Sequence, residues 1–281
     1  GLVGSEMCIR DSYNIEILFA TSSDNSNEVE LYNNPISYGG KGYTNPTQEL
    51  VDAYETTKGY PIDDPRSGYD PENPYKGRDP RMEYSVAYNG LKFSGTPIET
   101  FVGGKDGLNK TPTATKTGYY MRKFIDQNLD LSKDQKRRRP WILFRYAEIL
   151  LNYAEAMNEY LDAPDQSIYD AVNLIRKRAK IPQLNIRMNL SKEEMRARIR
   201  NERRVELAFE EHRFWDVRRW EEGQTYFNQP IHGMRITMEN EKASYETFVV
   251  EERVFEPKMN YYPIPQSELQ KNSKLDQNPG W

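Results

Sequence analysis

One cysteine and two histidines are all that 281 residues offer in soft-ligand chemistry. A disulfide within the chain is excluded, and so is a tetrahedral metal site of thiolates and imidazoles. Long apolar runs are missing too, and with a mean hydropathy of −0.90 no segment is suited to crossing a bilayer as a helix. There is no basic excess: 39 Lys and Arg stand against 43 Asp and Glu, for a net charge of −4. Nothing in that balance calls for nucleic acid or anionic lipid as a partner. Catalytic signatures are also wanting. The chain has no G-x-S-x-G elbow, P-loop, H-E-x-x-H or dinucleotide fingerprint, and His212 and His232 lack a recognisable nucleophile. What is abundant is loop chemistry, with 17 Gly, 17 Pro and 20 Tyr in a chain long enough for one large or two small domains.

Residues 191–220, SKEEMRARIRNERRVELAFEEHRFWDVRRW, carry the sharpest signal. Ser191 followed by Glu194 makes a capping box, so a helix begins here. At about 100° per residue, Met195, Ile199, Val205 and Phe209 share a face, and Glu202 and Glu206 fall in its middle. Two carboxylates aimed at a core need cations. Arg203, Arg213, Arg218 and Arg219 are the local supply. A general acid–base pair is the functional reading of Glu202 and Glu206; a structural ion network is the reading favoured here. The same stretch, extended to Glu222, balances nine basic against nine acidic residues, which excludes a phosphate-binding surface.

The string RNERRVELAFEEHRFWDVRRW resembles the signature of the SusD/RagB family of outer-membrane lipoproteins, which bind glycans beside a TonB-dependent transporter. Four more segments resemble the family in the same order: NPTQELVDAYE (45–55), GRDPRMEYSVAYNG (77–90), RRPWILFRYAEILLNYAEAMNE (138–159) and NYYPIPQSELQKNSKLDQNPGW (260–281). The resemblance implies a mainly α, SusD-like fold with a tetratricopeptide-type helix hairpin, long irregular loops and a few short strands. It also implies a non-catalytic glycan-binding protein without cofactor, exposed at the cell outer membrane and partnered by a SusC-like transporter. The best enzymatic alternative is a glycoside hydrolase using paired carboxylates, drawn from 43 acidic residues. A pure helical scaffold is the third class.

Cys8 follows Ser5, Glu6 and Met7 with no apolar run behind them, so it is not a convincing lipidation site. The opening GLVGSEMCIRDS resembles translated adapter sequence. Residues 1–12 are therefore read as foreign, and 13–281 as the C-terminal part of a SusD-like domain. On that reading the lipid anchor and most of the helical-repeat half lie outside this chain.

Along the rest, 13–20 is strand-like, 22–44 is a Ser/Asn/Gly-rich loop, 45–54 a short helix and 82–88 a strand. Residues 141–159 and 167–180 are helices joined by a short turn, with Pro182 ending the second. Residues 223–259 mix strand-like pieces with turns, and Ser267 with Gln270 makes a second capping box. Trp215 and Trp220 read as core anchors, His212 as a structural residue, and the basic run 136–139 as solvated.

A glycan site combines aromatic rings, which meet sugar C–H faces, with amides and charged groups that meet hydroxyls, all carried on loops. The segment LYNNPISYGGKGYTNPTQ joins Tyr32, Tyr38 and Tyr43 to Asn33, Asn34 and Lys41, with glycines at 39, 40 and 42 that let backbone approach a ligand. The family resemblance places this loop on the glycan-facing side. Tyr38 and Tyr43, with Tyr32, Asn34 and Lys41, are the expected ligand-binding residues.

Overall fold

The computed structural model describes residues 16–21 and 25–281. Cys8, the foreign reading of 1–12 and the start of the first strand-like segment lie outside them. The architecture is mainly α, with irregular connections and five two-stranded antiparallel pairings among the described residues. The helices are α1 (Glu28–Asn33), α2 (Gln48–Ala53), α3 (Pro80–Ser85), α4 (Tyr146–Tyr160), α5 (Gln166–Arg178), α6 (Lys192–Glu206), α7 (His212–Arg219), α8 (Gly223–Phe227) and α9 (Gln266–Lys271). The strands are β1 (Ile17–Thr21), β2 (Asn25–Ser26), β3 (Val86–Ala87), β4 (Lys92–Phe93), β5 (Thr96–Pro97), β6 (Tyr120–Met121), β7 (Arg137–Arg138), β8 (Trp141–Arg145), β9 (Ile231–Glu239) and β10 (Lys242–Glu251).

The capping box is present as expected: Glu194 N donates to Ser191 Oγ at 3.2 Å and Ser191 N to Glu194 Oε2 at 2.7 Å. The helix it starts does not run through to Trp220. It ends at Glu206, and a turn with Phe209 at φ 64° and Glu211 at φ 66° redirects the chain into α7. Helices α4 and α5 form the expected hairpin, with Asp165 capping α5 through the amides of Ser167 and Ile168. They pack with α6 around Ala154, Ile168, Val172, Met195 and Ile199, all nearly inaccessible.

Several local readings are corrected. Residues 82–88 begin as helix rather than strand, because Asp79 accepts from Arg81 N at 2.9 Å and Pro80 at the first helical position presets the turn. Residues 141–145 are strand β8, paired antiparallel with β1, and the helix starts only at Tyr146. WILFR is an apolar run without a period, which periodicity cannot assign. The 22–44 loop contains α1 and a 3-10 turn at Ile36–Tyr38. The second capping box does not form: α9 has Pro265 as its N-cap and no side-chain cap. Segment 223–259 holds a long hairpin, β9 and β10, closed by Asn240 and Glu241, both at positive φ as a two-residue hairpin turn requires.

A second core joins α2 and α3 to that hairpin through Val51, Tyr54, Met82, Tyr119, Met234 and Ile236. A third gathers Phe93, Ile98, Tyr120 and Ile125 beneath the 31–43 loop, with Tyr38 packed against it.

Candidate functional site

The paired glutamates of α6 are buried, with Glu202 2% and Glu206 5% exposed. Glu206 accepts from Arg145 Nη1 at 2.7 Å, from Arg81 Nη1 at 3.1 Å and from Arg178, while Lys123 Nζ donates to its carbonyl at 3.0 Å. Glu202 accepts from Arg81 at 2.5 Å and Arg176 at 3.1 Å. Burial alone would raise the Glu206 carboxyl; the charges of Arg178, Arg145, Arg81 and Lys123 outweigh it and hold the group well below the usual range. Such a carboxyl keeps no proton to give, so Glu206 is no general acid.

The counter-ions are not the nearby arginines expected from sequence. Arg203 turns to Asp216 at 3.0 Å and Asn152 at 2.6 Å, and Arg219 to Glu155 and Asp216. Arg213 lies over Trp220 and Tyr226, and Arg218 over Phe214, Trp215 and Tyr262. Adjacent helical residues diverge by about 100°, so Arg203 cannot face the partners of Glu202. Cations reach this helix face from other elements instead: α3, β8, α5 and the loop after β6.

The 31–43 loop folds back on α1. Lys41 N donates to Leu31 O at 2.9 Å, Gly42 N to Asn34 O at 3.2 Å and Tyr43 N to Tyr32 O at 2.8 Å. That pairing stacks Tyr43 on Tyr32, with ring centroids 5.7 Å apart and planes 9° from parallel. Lys41 Nζ stands 5.0 Å from the Tyr32 ring centre and 5.8 Å from that of Tyr43. Tyr43 is 63% exposed. The glycines serve the loop itself rather than an approaching ligand. A Cβ on Gly40 would collide with the Asn34 backbone, and one on Gly42, at φ +51°, would come within 2.6 Å of the Tyr120 ring. Gly42→Ala is therefore expected to destabilise the chain by about 1–3 kcal/mol, read as a lowered thermal midpoint.

Tyr38 and Asn34 take a different place. The Tyr38 hydroxyl donates to Phe93 O at 2.7 Å, and its ring packs on Phe93 at 4.9 Å, so it is not a free platform. Together with Asn34 it lines a cleft of about 730 Å³ whose far side carries Gln127, Asn128 and Asp130. Two side-chain atoms of that lining are buried without a hydrogen-bond partner: the acceptor Asn34 Oδ1 and the donor Gln127 Nε2. Buried polar atoms are rarely left unmatched, but these two are closed to solvent and therefore do not themselves face a ligand in this conformation. On another flank, Asn33 and Thr44 reach a mostly apolar cavity of about 430 Å³ shared with Trp141 and Phe214. Nothing in the sequence joins Gln127 to Asn34, since their meeting depends on tertiary folding.

Other expectations are revised. Trp215 is 55% exposed and is no core anchor. Trp220 is half-buried, donates to Glu155 at 2.7 Å and stacks with Arg200 at 4.4 Å. The basic run is not simply solvated: Arg137 pairs with Asp126, and Arg139 holds Glu30 of α1 through contacts of 2.7 and 2.9 Å. His212 faces Glu148 at 3.7 Å, and His232 Nδ1 lies 2.6 Å from Glu49. No helix among the described residues is long and apolar enough to cross a membrane.

The sequence model of the SusD family matches residues 11–281. The chain belongs to the SusD family. It is 34% identical over 147 residues to SusD-like protein P2 of Formosa agariphila, an alignment covering 50% of this chain and 26% of that protein. A SusD-like protein of Bacteroides fragilis superposes with a TM-score of 0.79 at 30% identity, covering 95% of this chain and 55% of its own. A SusD-like carbohydrate binding protein from the same species does so at 0.75 and 30% identity, covering 94% and 55%. The chain thus spans about half the length of these SusD-like structures. In this SusD-family member the ion network on α6 ties α3, β8 and α5 to one helix, whereas Tyr32 and Tyr43 present a stacked, exposed pair of rings.

Proposed function

We propose that this chain binds glycans without transforming them, and that the 31–43 loop is the contact surface. The observation that carries the reading is the exposed Tyr32–Tyr43 stack beside Lys41, next to a polar cleft lined by Asn34 and Tyr38. Rings meet the C–H faces of a sugar, while Lys41 and the polar side chains along the cleft meet its hydroxyls. Tyr38 forms the cleft wall. Membership of the SusD family supports the reading, as does the carbohydrate-binding description of the Bacteroides fragilis relative.

We infer further, from the family alone, that residues 13–281 act as the C-terminal part of a longer, surface-exposed outer-membrane protein. That protein would be held by a lipid anchor and would pass its glycan to a SusC-like TonB-dependent transporter. The hydrolase alternative is disfavoured at Glu202 and Glu206, whose carboxylates are saturated by guanidinium groups.

The test is affinity electrophoresis and calorimetry against a panel of soluble polysaccharides. Replacing Tyr32 and Tyr43 together by Ala is expected to weaken the best ligand by about 1–3 kcal/mol, roughly 5- to 150-fold, with little change in melting temperature. Unchanged affinity would remove the loop from the site. Release of reducing ends by the wild-type chain would favour the hydrolase.

A further inference from the structure

Arg218 differs from the other deeply buried arginines. Arg81, Arg145, Arg176 and Arg203 each meet a carboxylate at 3.1 Å or less, and Arg78 donates to three backbone carbonyls. Arg218 is only 8% exposed, yet its Nε donates to Asn260 O at 3.0 Å and nothing further is paired with it among the described residues. No carboxylate of those residues lies within 4.0 Å of it.

Three rings frame the guanidinium instead: Tyr262 at 4.3 Å, Phe214 at 4.8 Å and Trp215 at 5.8 Å. Attraction to ring faces offsets only part of the hydration that a buried cation loses. The terminal donors of Arg218 have no protein acceptor among the described residues and are not closed off from solvent, so they are free to meet an anion. The frame is also open to solvent. Trp215 is 55% and Tyr262 58% exposed, their centroids 6.1 Å apart and their planes at 56°, an angled pair of faces with the cation beneath.

We propose that this frame is a second saccharide site, selective for a sugar carrying an anionic substituent, either carboxylate or sulfate. The sugar ring stacks on Trp215 or Tyr262, and the anion accepts hydrogen bonds from the Arg218 terminal nitrogens as a charge-assisted pair. That the occupant is a sugar rests on the glycan-binding reading above; that it is anionic rests on Arg218 alone. The site draws on α7 and the segment after β10, and uses none of Tyr32, Lys41 or Tyr43.

The experiment is calorimetry on the whole chain with two matched pairs of probes: tri-galacturonate against its methyl ester, and a sulfated galactose oligosaccharide against its desulfated form. In one pair or both, the charged member is expected to bind roughly tenfold tighter at low salt, with the preference shrinking as salt rises. The pair that shows it tells carboxylate from sulfate. Arg218→Gln is expected to bring the two members within about twofold, Trp215→Ala to weaken both, and Tyr43→Ala to leave the preference intact.

Equal affinities in both pairs overturn the proposal, as does a preference that survives Arg218→Gln. Should Arg218→Gln fail to fold by circular dichroism, Trp215→Ala and the salt titration decide: affinities of both members unchanged by Trp215→Ala, or a preference unchanged by salt, overturns it. Neutral binding that persists without any charge preference sinks this site alone. Absence of all saccharide binding sinks the glycan reading with it.

Discussion

Glu206→Ala is expected to lower stability by about 3–5 kcal/mol, the cost of taking one carboxylate out of a buried charge network. Arg145, Arg81 and Arg178 would all lose an acceptor together, and although Glu210, Asp79, Glu202 and Glu16 still hold them, side chains only 5–7% exposed leave water little room to replace it. For a chain of this size, that corresponds to a thermal midpoint lower by roughly 10 °C. Glu206→Gln should do nearly as much damage, because the amide keeps the shape but supplies no charge. Circular dichroism melts of both variants provide the check. An unchanged midpoint for Glu206→Ala, accompanied by loss of a glycan-cleaving activity, would return the pair to a catalytic role.

That network also explains which parts of the fold were legible in the sequence. Ser191 and Glu194 are three residues apart and act locally, so the start of α6 could be read directly. The burial of Glu202 and Glu206 followed from helical spacing among Met195, Ile199 and Val205. Their partners did not. Arg81 lies 121 positions from Glu202, and Arg145 lies 61 from Glu206, distances over which no periodicity speaks. Proximity along the chain favoured Arg213 and Arg218, which the turn at Phe209 and Glu211 swings away toward aromatic rings.

The candidate site divides in the same way. Tyr32 lies at the end of α1 while Lys41 and Tyr43 stand on the loop that follows it, and the backbone pairing between residues 32 and 43 is a local event. Tyr38 looked equivalent in composition, but Phe93 approaches from a different part of the chain and takes its ring and hydroxyl. The cleft wall at Gln127 and Asn128 had no local signal at all. Strand β8 failed for another reason: WILFR precedes a true helix without a break in apolar content, and only its pairing with β1 makes it extended.

Acid should unfold this protein over a broad range, with the loss of stability traceable to a few buried carboxylates. Burial would raise Glu210, but Arg145 and Lys123 outweigh it and lower it; Glu155 is likewise lowered by Arg219 and Trp220 against its burial; and Glu206 is held well below 4.5. The sign follows from proton binding. Below about pH 4.5 the unfolded chain takes up protons that the folded one refuses, so the stability these groups contribute is fully present above that value and drains away as pH falls toward their folded values. Because Glu206 lies well below its ordinary value, its share is still being lost where a carboxylate of ordinary value has already titrated. Asp52 opposes the trend: burial, outweighing the Gln48 hydrogen bond, raises it, so its protonation at low pH relieves a cost. One group of opposite sign does not cancel three. Denaturant melts from pH 7 to pH 2.5 are expected to show a plateau above about pH 5 and a continuous decline below. The decisive comparison is Glu206→Gln, whose decline should be shallower because its largest titrating contributor is gone. Added salt should leave that difference in place, since buried pairs are poorly screened. Parallel acid limbs in the two proteins would mean that surface charge, not the network on α6, sets the acid limit of this fold.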